Sequence, residues 1–244
     1  MRDYIVDSRY IVRRSSDTAG FQEKYMRNGY WYKIDKFIGE GEMENFVSKM
    51  LRCSTLPYGY YVYYEYCRVN SKIGCRSKTF LSLGECFMSY NELYRYYCNG
   101  KLQDRILSLR NSKERLDYIL KFIKKSTGLN VYNYLKTIIL LDMLISNRDR
   151  HFGNLGVIYN QKTGRFRVPP IFDNGLAGGV GLGYDEVLTS CTLSGSFEDQ
   201  VLAFGYPIVS TFRVDYERVY RETNVSKYPI VLSNLEKYKT IFRR

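Results

Sequence analysis

The chain has 244 residues, enough for one large domain or two modest lobes, and its 45% hydrophobic and 25% charged residues are those of an ordinary folded protein. Only 5 prolines and no low-complexity tract argue against a long disordered arm, and no run of about 18 apolar residues offers a membrane-spanning helix. The formal net charge of +12 attracts polyanions in general, but the basic residues are spread along the chain, which disfavours nucleic acid as a direct ligand.

Residues 4–14 carry β-branched and aromatic side chains and read as a strand, broken by Ser15-Ser16-Asp17-Thr18-Ala19-Gly20. Asn28-Gly29 is a tight-turn signal, and Tyr30-Trp31-Tyr32-Lys33-Ile34 resumes an extended pattern. Residues 4–34 are therefore expected to form antiparallel strands with a small polar loop between the first two. Gly39-Glu40-Gly41 is a second break. Residues 42–52 then read as a helix, with Met43, Phe46, Val47, Met50 and Leu51 at helical spacing. Pro57-Tyr58-Gly59 ends it, and residues 60–69, rich in Tyr and Val, read as another strand. This order suggests a small α+β lobe.

From residue 89 the character turns helical. Ser112 is placed to cap a helix with apolar positions Leu116, Ile119, Leu120 and Ile123, closed by Gly128. Residues 131–146 form a second helix, apolar over most of its surface and too short to span a bilayer, so it belongs in the core. Residues 155–159 and 165–172 read as two strands joined by a turn at residues 160–164. The last 30 residues read as helical, with Ser233-Asn234-Leu235-Glu236 as a capping box.

Six cysteines stand at 53, 67, 75, 86, 98 and 191, none of them in a Cys-x-x-Cys pair, and His151 is the only histidine. A zinc site is not indicated, and free, mostly buried thiols are expected. The N-terminus Met1-Arg2-Asp3-Tyr4 lacks an apolar signal core, so the expected location is cytoplasmic, with no membrane partner.

The apolar helix delivers Asn147-Arg148-Asp149-Arg150-His151-Phe152-Gly153-Asn154, and the second strand of the hairpin ends at Ile171-Phe172-Asp173-Asn174-Gly175. An out-and-back hairpin returns Asp173 toward the point where Asn154 left. Magnesium takes hard oxygen ligands and usually only one or two from the protein, which suits Asn154 and Asp173 as metal ligands. Asp149 is placed to orient a substrate hydroxyl and accept its proton. His151, in the same catalytic segment, reads as the brace of that loop. Upstream, the loop at residues 17–24 can present backbone N–H groups to phosphate, Lys33 can reach the phosphates, and Glu44 can hold Lys33 by an ion pair, with Glu42 as the competing choice.

The catalytic and metal-binding segments, together with Pro170, resemble those of the HipA-like serine/threonine kinases. Ala19-Gly20-Phe21-Gln22-Glu23-Lys24 is similar to that family's phosphate loop, Ala-Gly-Ala-Gln-Glu-Lys. The resemblance spans most of residues 10–180. It implies an α+β, two-lobed protein-kinase-like fold, with a strand-rich N-lobe over residues 1–85 and a mostly helical C-lobe over residues 86–244. ATP and magnesium would lie between the lobes. It implies Asp149 as the catalytic aspartate, Asn154 and Asp173 as magnesium ligands, and Lys33 with Ala19, Gly20, Gln22 and Lys24 as phosphate contacts. Many members are toxins paired with a DNA-binding antitoxin and act on translation factors, so the implied partners are a protein substrate and an antitoxin. Because the chain begins close to the phosphate loop, the extra N-terminal subdomain of longer members, and the antitoxin contact made through it, are not expected. The serine that characterised members autophosphorylate falls at Asp17, so self-inhibition at that residue is not expected either. The glycine-rich residues 175–183 are expected to move and to help shape the acceptor site.

The competing readings are a nucleotide-binding chain without transfer activity and a basic nucleic-acid-binding protein. The intact Asp149, Asn154 and Asp173 oppose the first, and Lys33 and Glu44, which would then serve no purpose, oppose the second.

Overall fold

The computed structural model describes residues 1–12, 22–181, 189–190 and 192–242. The first sheet has five strands: β1 Asp3–Tyr4, β2 Lys24–Arg27, β3 Tyr30–Ile34, β4 Tyr64–Val69 and β5 Lys72–Lys78, in spatial order β1-β4-β5-β3-β2. One helix, α1 Glu40–Arg52, packs on β4 and β5. The β2–β3 hairpin turns at Asn28 and Gly29, both at positive φ (51° and 77°), as the Asn-Gly signal requires. The expected strand over residues 4–14 is a correction. Only Asp3–Tyr4 is regular strand, and it pairs parallel with β4. Asp7 then caps a 3-10 turn at Ser8–Tyr10, accepting from the backbone N–H of Arg9. After it, Ile11 meets Tyr25 of β2 in an isolated antiparallel bridge and the Val12 N–H donates to the Lys24 carbonyl at 2.8 Å, the part of the expected antiparallel pairing that is present.

Helix α1 starts earlier than its glycines suggest. Gly39, at φ 99°, is the residue before the first turn, and Gly41 lies inside the helix. Gly41 is needed for close approach. A Cβ there would lie 2.6 Å from the backbone C and O of Gly74 on β5, and a Cβ on Gly74 would sit 2.0 Å from the Lys33 carbonyl oxygen. The helix end and two strands meet backbone to backbone at this point. Strand β4 begins at Tyr64, four residues later than expected; Tyr61 instead forms an isolated parallel bridge with Ile171.

The second part is built from β6 Glu85–Ser89, α2 Tyr90–Cys98, α3 Leu102–Leu107, α4 Ser112–Thr127, α5 Tyr132–Ile145, β7 Gly156–Asn160 and β8 Phe166–Arg167. After these come β9 Thr189–Ser190, β10 Gly195–Ser196, α6 Phe197–Leu202, α7 Tyr216–Glu222, α8 Pro229–Lys237 and α9 Lys239–Phe242. Strands β6, β7 and β8 form one antiparallel sheet in that order. Asn111, not Ser112, caps α4, its side chain accepting from the Glu114 N–H at 2.9 Å, and Gly128 closes the helix at φ 78°. The second hairpin strand is only two residues long, because Pro169 and Pro170 cannot donate to a ladder. The expected capping box at Ser233 and Glu236 falls inside α8, which opens instead with Pro229 at its first turn.

Helix α5 is buried on nearly all sides and lies in a single large apolar core. That core also contains Met43, Phe46, Val47 and Met50 of α1, so the helix that serves the first sheet is packed into the helical part as well. Cys53, Cys67 and Cys75 are buried free thiols, Cys98 is exposed, and Cys191 lies outside the described residues. No helix among the described residues is long and apolar enough to cross a membrane.

Candidate active site

Strand pairing places the first two cations. Lys24 and Lys33 are direct partners in the β2–β3 ladder, so their side chains leave the same face of the sheet. Lys33 is buried, its ammonium 5.0 Å from the Tyr64 ring centroid. It donates to Glu44 Oε1 at 3.1 Å and to Asp173 Oδ1 at 2.6 Å. One side chain therefore ties β3, α1 and the loop after β8 together. Burial alone would lower the Lys33 pKa, but the carboxylates of Asp173 and Glu44 reverse this and hold it well above the ordinary lysine range. Burial likewise favours a protonated Asp173, and the charges of Lys33 and Lys24 overcome it, so that carboxyl sits below its usual range. Burial raises Glu44.

The choice between Glu42 and Glu44 is decided by the fold. Glu44 is 2% exposed and pairs with Lys33, and its second oxygen accepts from the Asn174 backbone N–H at 2.9 Å. Glu42 points the other way and takes Lys227.

The segment after α5 is held by Arg150, which the sequence reading left without a role. Arg150 is 0% exposed. It donates to both oxygens of Asp142 on α5 (3.2 and 3.3 Å), to the carbonyls of Phe172 (2.6 Å) and Asp173 (3.2 Å), and to Asn174 Oδ1 (2.5 Å). Its own carbonyl accepts from Thr192 at 2.7 Å. The guanidinium fork thereby locks the Asp149 loop to the Asp173 loop and both to the core helix. A signal for it existed in the sequence: Asp142 is a lone carboxylate in an otherwise apolar buried helix, and such a charge requires a partner. With Asn174, the chain Asp142, Arg150, Asn174, Glu44, Lys33 runs unbroken from α5 to β3.

Asp149 is partly buried, and burial raises its pKa, aided by the nearby charge of Asp173 and opposed by His151, Arg150 and Lys24. Asp149 thus feels the charges of Asp173 and of Lys24 on β2. Its carbonyl accepts from Asn154 Nδ2 at 3.1 Å, and its N–H donates to Asn147 Oδ1 at 3.1 Å. His151 Nδ1 accepts from the Gly153 N–H at 3.0 Å, tying the ring to its own turn. A Cβ on Gly153 would lie 2.8 Å from that ring. Asp173 itself sits at φ 62°, a left-handed conformation that turns the chain sharply between Phe172 and Asn174.

Of the remaining expected residues, Gln22 is placed with its amide donating to Glu40 Oε2 at 3.0 Å, at the start of α1. Ala19 and Gly20, with Asp17, lie outside the described residues, as does the end of the 175–183 glycine segment. The structure thus joins Lys33 to Glu44 and Asp173 and pairs Lys24 with Lys33 across the ladder, with Arg150 and Asn174 as their unforeseen scaffold, while Asn154 bonds to the Asp149 backbone.

A curled five-stranded sheet with one helix, set against a mostly helical part, with the cation and carboxylates converging where they meet, is a kinase-like fold. The likeness is carried by a solved structure, a proinflammatory kinase, CtkA, from Helicobacter pylori. The two superpose with a TM-score of 0.53 at 16% sequence identity, over 72% of this chain and 60% of that one, so the chain matches three fifths of that kinase's length. No family model matches the sequence, and no curated protein does.

Proposed function

We propose that the chain is an ATP- and magnesium-dependent kinase that transfers the γ-phosphoryl group to a serine or threonine hydroxyl of a protein. The observation that carries this reading is the double ion pair of Lys33, to Glu44 at 3.1 Å and to Asp173 at 2.6 Å, made from three separate elements beside Asp149. A phosphate-binding lysine needs a carboxylate to aim it, and Glu44 and Asp173 hold the Lys33 ammonium charged and in place at the joint of the three elements.

The donor set suits magnesium. Asp173 offers a carboxylate, and Asn154, whose Nδ2 is engaged by the Asp149 carbonyl, offers its amide oxygen. Magnesium is usually held by one or two protein oxygens and otherwise by phosphate and water, which is the number these two residues offer. Asn154 and Asp173 would hold the magnesium, which when bound would supply positive charge to the phosphate oxygens of ATP. Lys33 and Lys24 add fixed positive charge on the same side. Asp149 orients the acceptor hydroxyl and takes its proton as that oxygen bonds to phosphorus and the bond to the ADP oxygen breaks. Arg150 keeps Asp149 and Asp173 at a fixed separation, which is the preorganisation this chemistry depends on.

The test is transfer of label from γ-labelled ATP to generic protein acceptors such as casein and histone, with magnesium and with chelator. Magnesium-dependent labelling on serine or threonine supports the proposal. Labelling that is absent across such acceptors and on the chain itself, together with no binding of magnesium and ATP, contradicts it.

A further inference from the structure

Helix α1 carries Glu44, and its orientation decides whether Glu44 meets Lys33. The sheet holds one side of it, through the Gly41–Gly74 contact and through Asn45 Nδ2 donating to the Tyr64 carbonyl at 2.7 Å. The other side is held by the C-terminal segment, 160 or more residues away in sequence. Lys227 Nζ lies 2.6 Å from both oxygens of Glu42. The ring of Tyr228 packs on Phe46 with centroids 4.3 Å apart, and both rings are buried. At the far end of the helix, the Asp215 N–H donates to the Cys53 carbonyl at 2.7 Å, and Ser54 bridges Val214. The grip therefore extends along the whole helix and is made by residues that never approach Lys33.

We infer that the segment from Val214 to Tyr228 is an intramolecular brace for α1, with Tyr228 and Lys227 as positioning residues that keep Glu44 on Lys33. The inference rests on the phosphoryl-transfer reading of the site for its catalytic consequence and on packing alone for its mechanical one. The division of labour follows from burial. Glu42 and Lys227 are partly exposed, with side chains 31% and 51% accessible, so their pair sets register more than strength. The Phe46–Tyr228 contact is dry and carries most of the hold. A helix released at this contact keeps its sheet side but tilts, and Glu44 leaves Lys33 before the fold is lost.

The experiment uses the full chain as wild type, Tyr228→Phe and Tyr228→Ala. Each is followed by hydrogen exchange at the α1 amides and by steady-state transfer from ATP and magnesium to casein. Tyr228→Ala is expected to speed α1 exchange by about tenfold or more and to lower kcat by about tenfold, with the KM for ATP changed by less than about threefold. Tyr228→Phe retains the ring and is expected to restore both. A second pair guards against simple unfolding. Lys227→Glu sets two like charges together and is expected to lower kcat by about threefold, and the swap Glu42→Lys with Lys227→Glu to restore it. Unchanged α1 exchange in Tyr228→Ala overturns the brace, and faster exchange with an unchanged kcat overturns its role in positioning Glu44. A swap that fails to restore kcat overturns the part assigned to Lys227. A wild-type chain that transfers nothing and binds no magnesium and ATP overturns the kinase reading instead, and the exchange data still decide whether the brace exists.

Discussion

Replacing Arg150 by Met should be the most damaging single change to the fold that touches no substrate. Asp142 and Arg150 are both 0% exposed, so the substitution leaves a carboxylate in the core with its cation gone. Burial already pushes Asp142 up to about 6, with Arg150 opposing the shift. Without the guanidinium, the carboxyl is protonated at neutral pH. Wild type already carries about 3 kcal/mol of the burial penalty at pH 7, from the shift between 3.8 and about 6, so full neutralisation there adds about 1–2 kcal/mol. The Phe172 and Asp173 carbonyls and the Asn174 amide oxygen also lose their donor, at about 1 kcal/mol each where no water replaces it. The expected loss is therefore about 2–5 kcal/mol at pH 7, a large part of a typical domain's stability. The charge part shrinks as the pH falls below about 6, to under about 0.5 kcal/mol at pH 5, where Asp142 is already largely protonated in wild type. The double variant Asp142→Leu with Arg150→Met removes the charge and should recover about 3 kcal/mol, leaving only the stranded acceptors. Urea unfolding of wild type, single and double variants at pH 7 and pH 5 measures all three quantities. A single variant that loses less than about 1 kcal/mol, or a double variant no more stable than the single, refutes the view that Arg150 is the buried strut of the site.

Gly41→Ala forces a methyl onto the Gly74 backbone and should cost about 1–3 kcal/mol in a thermal melt; the accompanying shift of α1 should also reduce transfer activity, and an unaffected rate would argue against the close helix–strand seat. In wild type, the raised Asp142 pKa means that its contribution to stability is greatest below about pH 4 and is lost as the pH rises through about 6, so Asp142→Asn should flatten the stability profile across that window. Glu85 behaves in the opposite sense. Its hydrogen bond from Arg167 holds its pKa at about 2, so its stabilising contribution is present above about pH 4.5 and lost as the pH falls through about 2. The pair is partly exposed, so Arg167→Ala should cost no more than about 1 kcal/mol at pH 7 and nothing near pH 2, as read from denaturant midpoints at the two pH values.

The parts of the fold that were legible in the sequence are those where one local signal is decisive. The Asn28-Gly29 turn, the apolar α5 and the Gly128 stop each follow from backbone geometry or from a continuous apolar surface. The short edge of the first sheet was not legible, because residues 4–14 have strand-like composition while the bond from Arg9 to Asp7 diverts the chain after Tyr4. The same holds for residues 165–172, where two prolines cut the ladder to two residues. In the site, Lys33 and Asp173 were identifiable from type and order. The choice of Glu44 over Glu42 needed the tertiary structure, since only the placement of Lys227 shows where Glu42 goes. Arg150 escaped notice because arginine beside a catalytic aspartate reads as a solvated charge. Its partner Asp142 was the clue, a carboxylate with nowhere to go but inward.

The central claim is that Asp149 does chemistry at a site whose other members only hold and align. The most direct test measures two quantities on Asp149→Asn and wild type: the rate of phosphoryl transfer from ATP and magnesium, and the affinity for the same nucleotide by calorimetry. The substitution keeps the side chain's size and removes its ability to take a proton, so the rate should fall by about a hundredfold or more while the ATP Kd stays within about threefold. A variant that transfers as fast as wild type, or one whose loss is entirely in nucleotide affinity, would contradict the account.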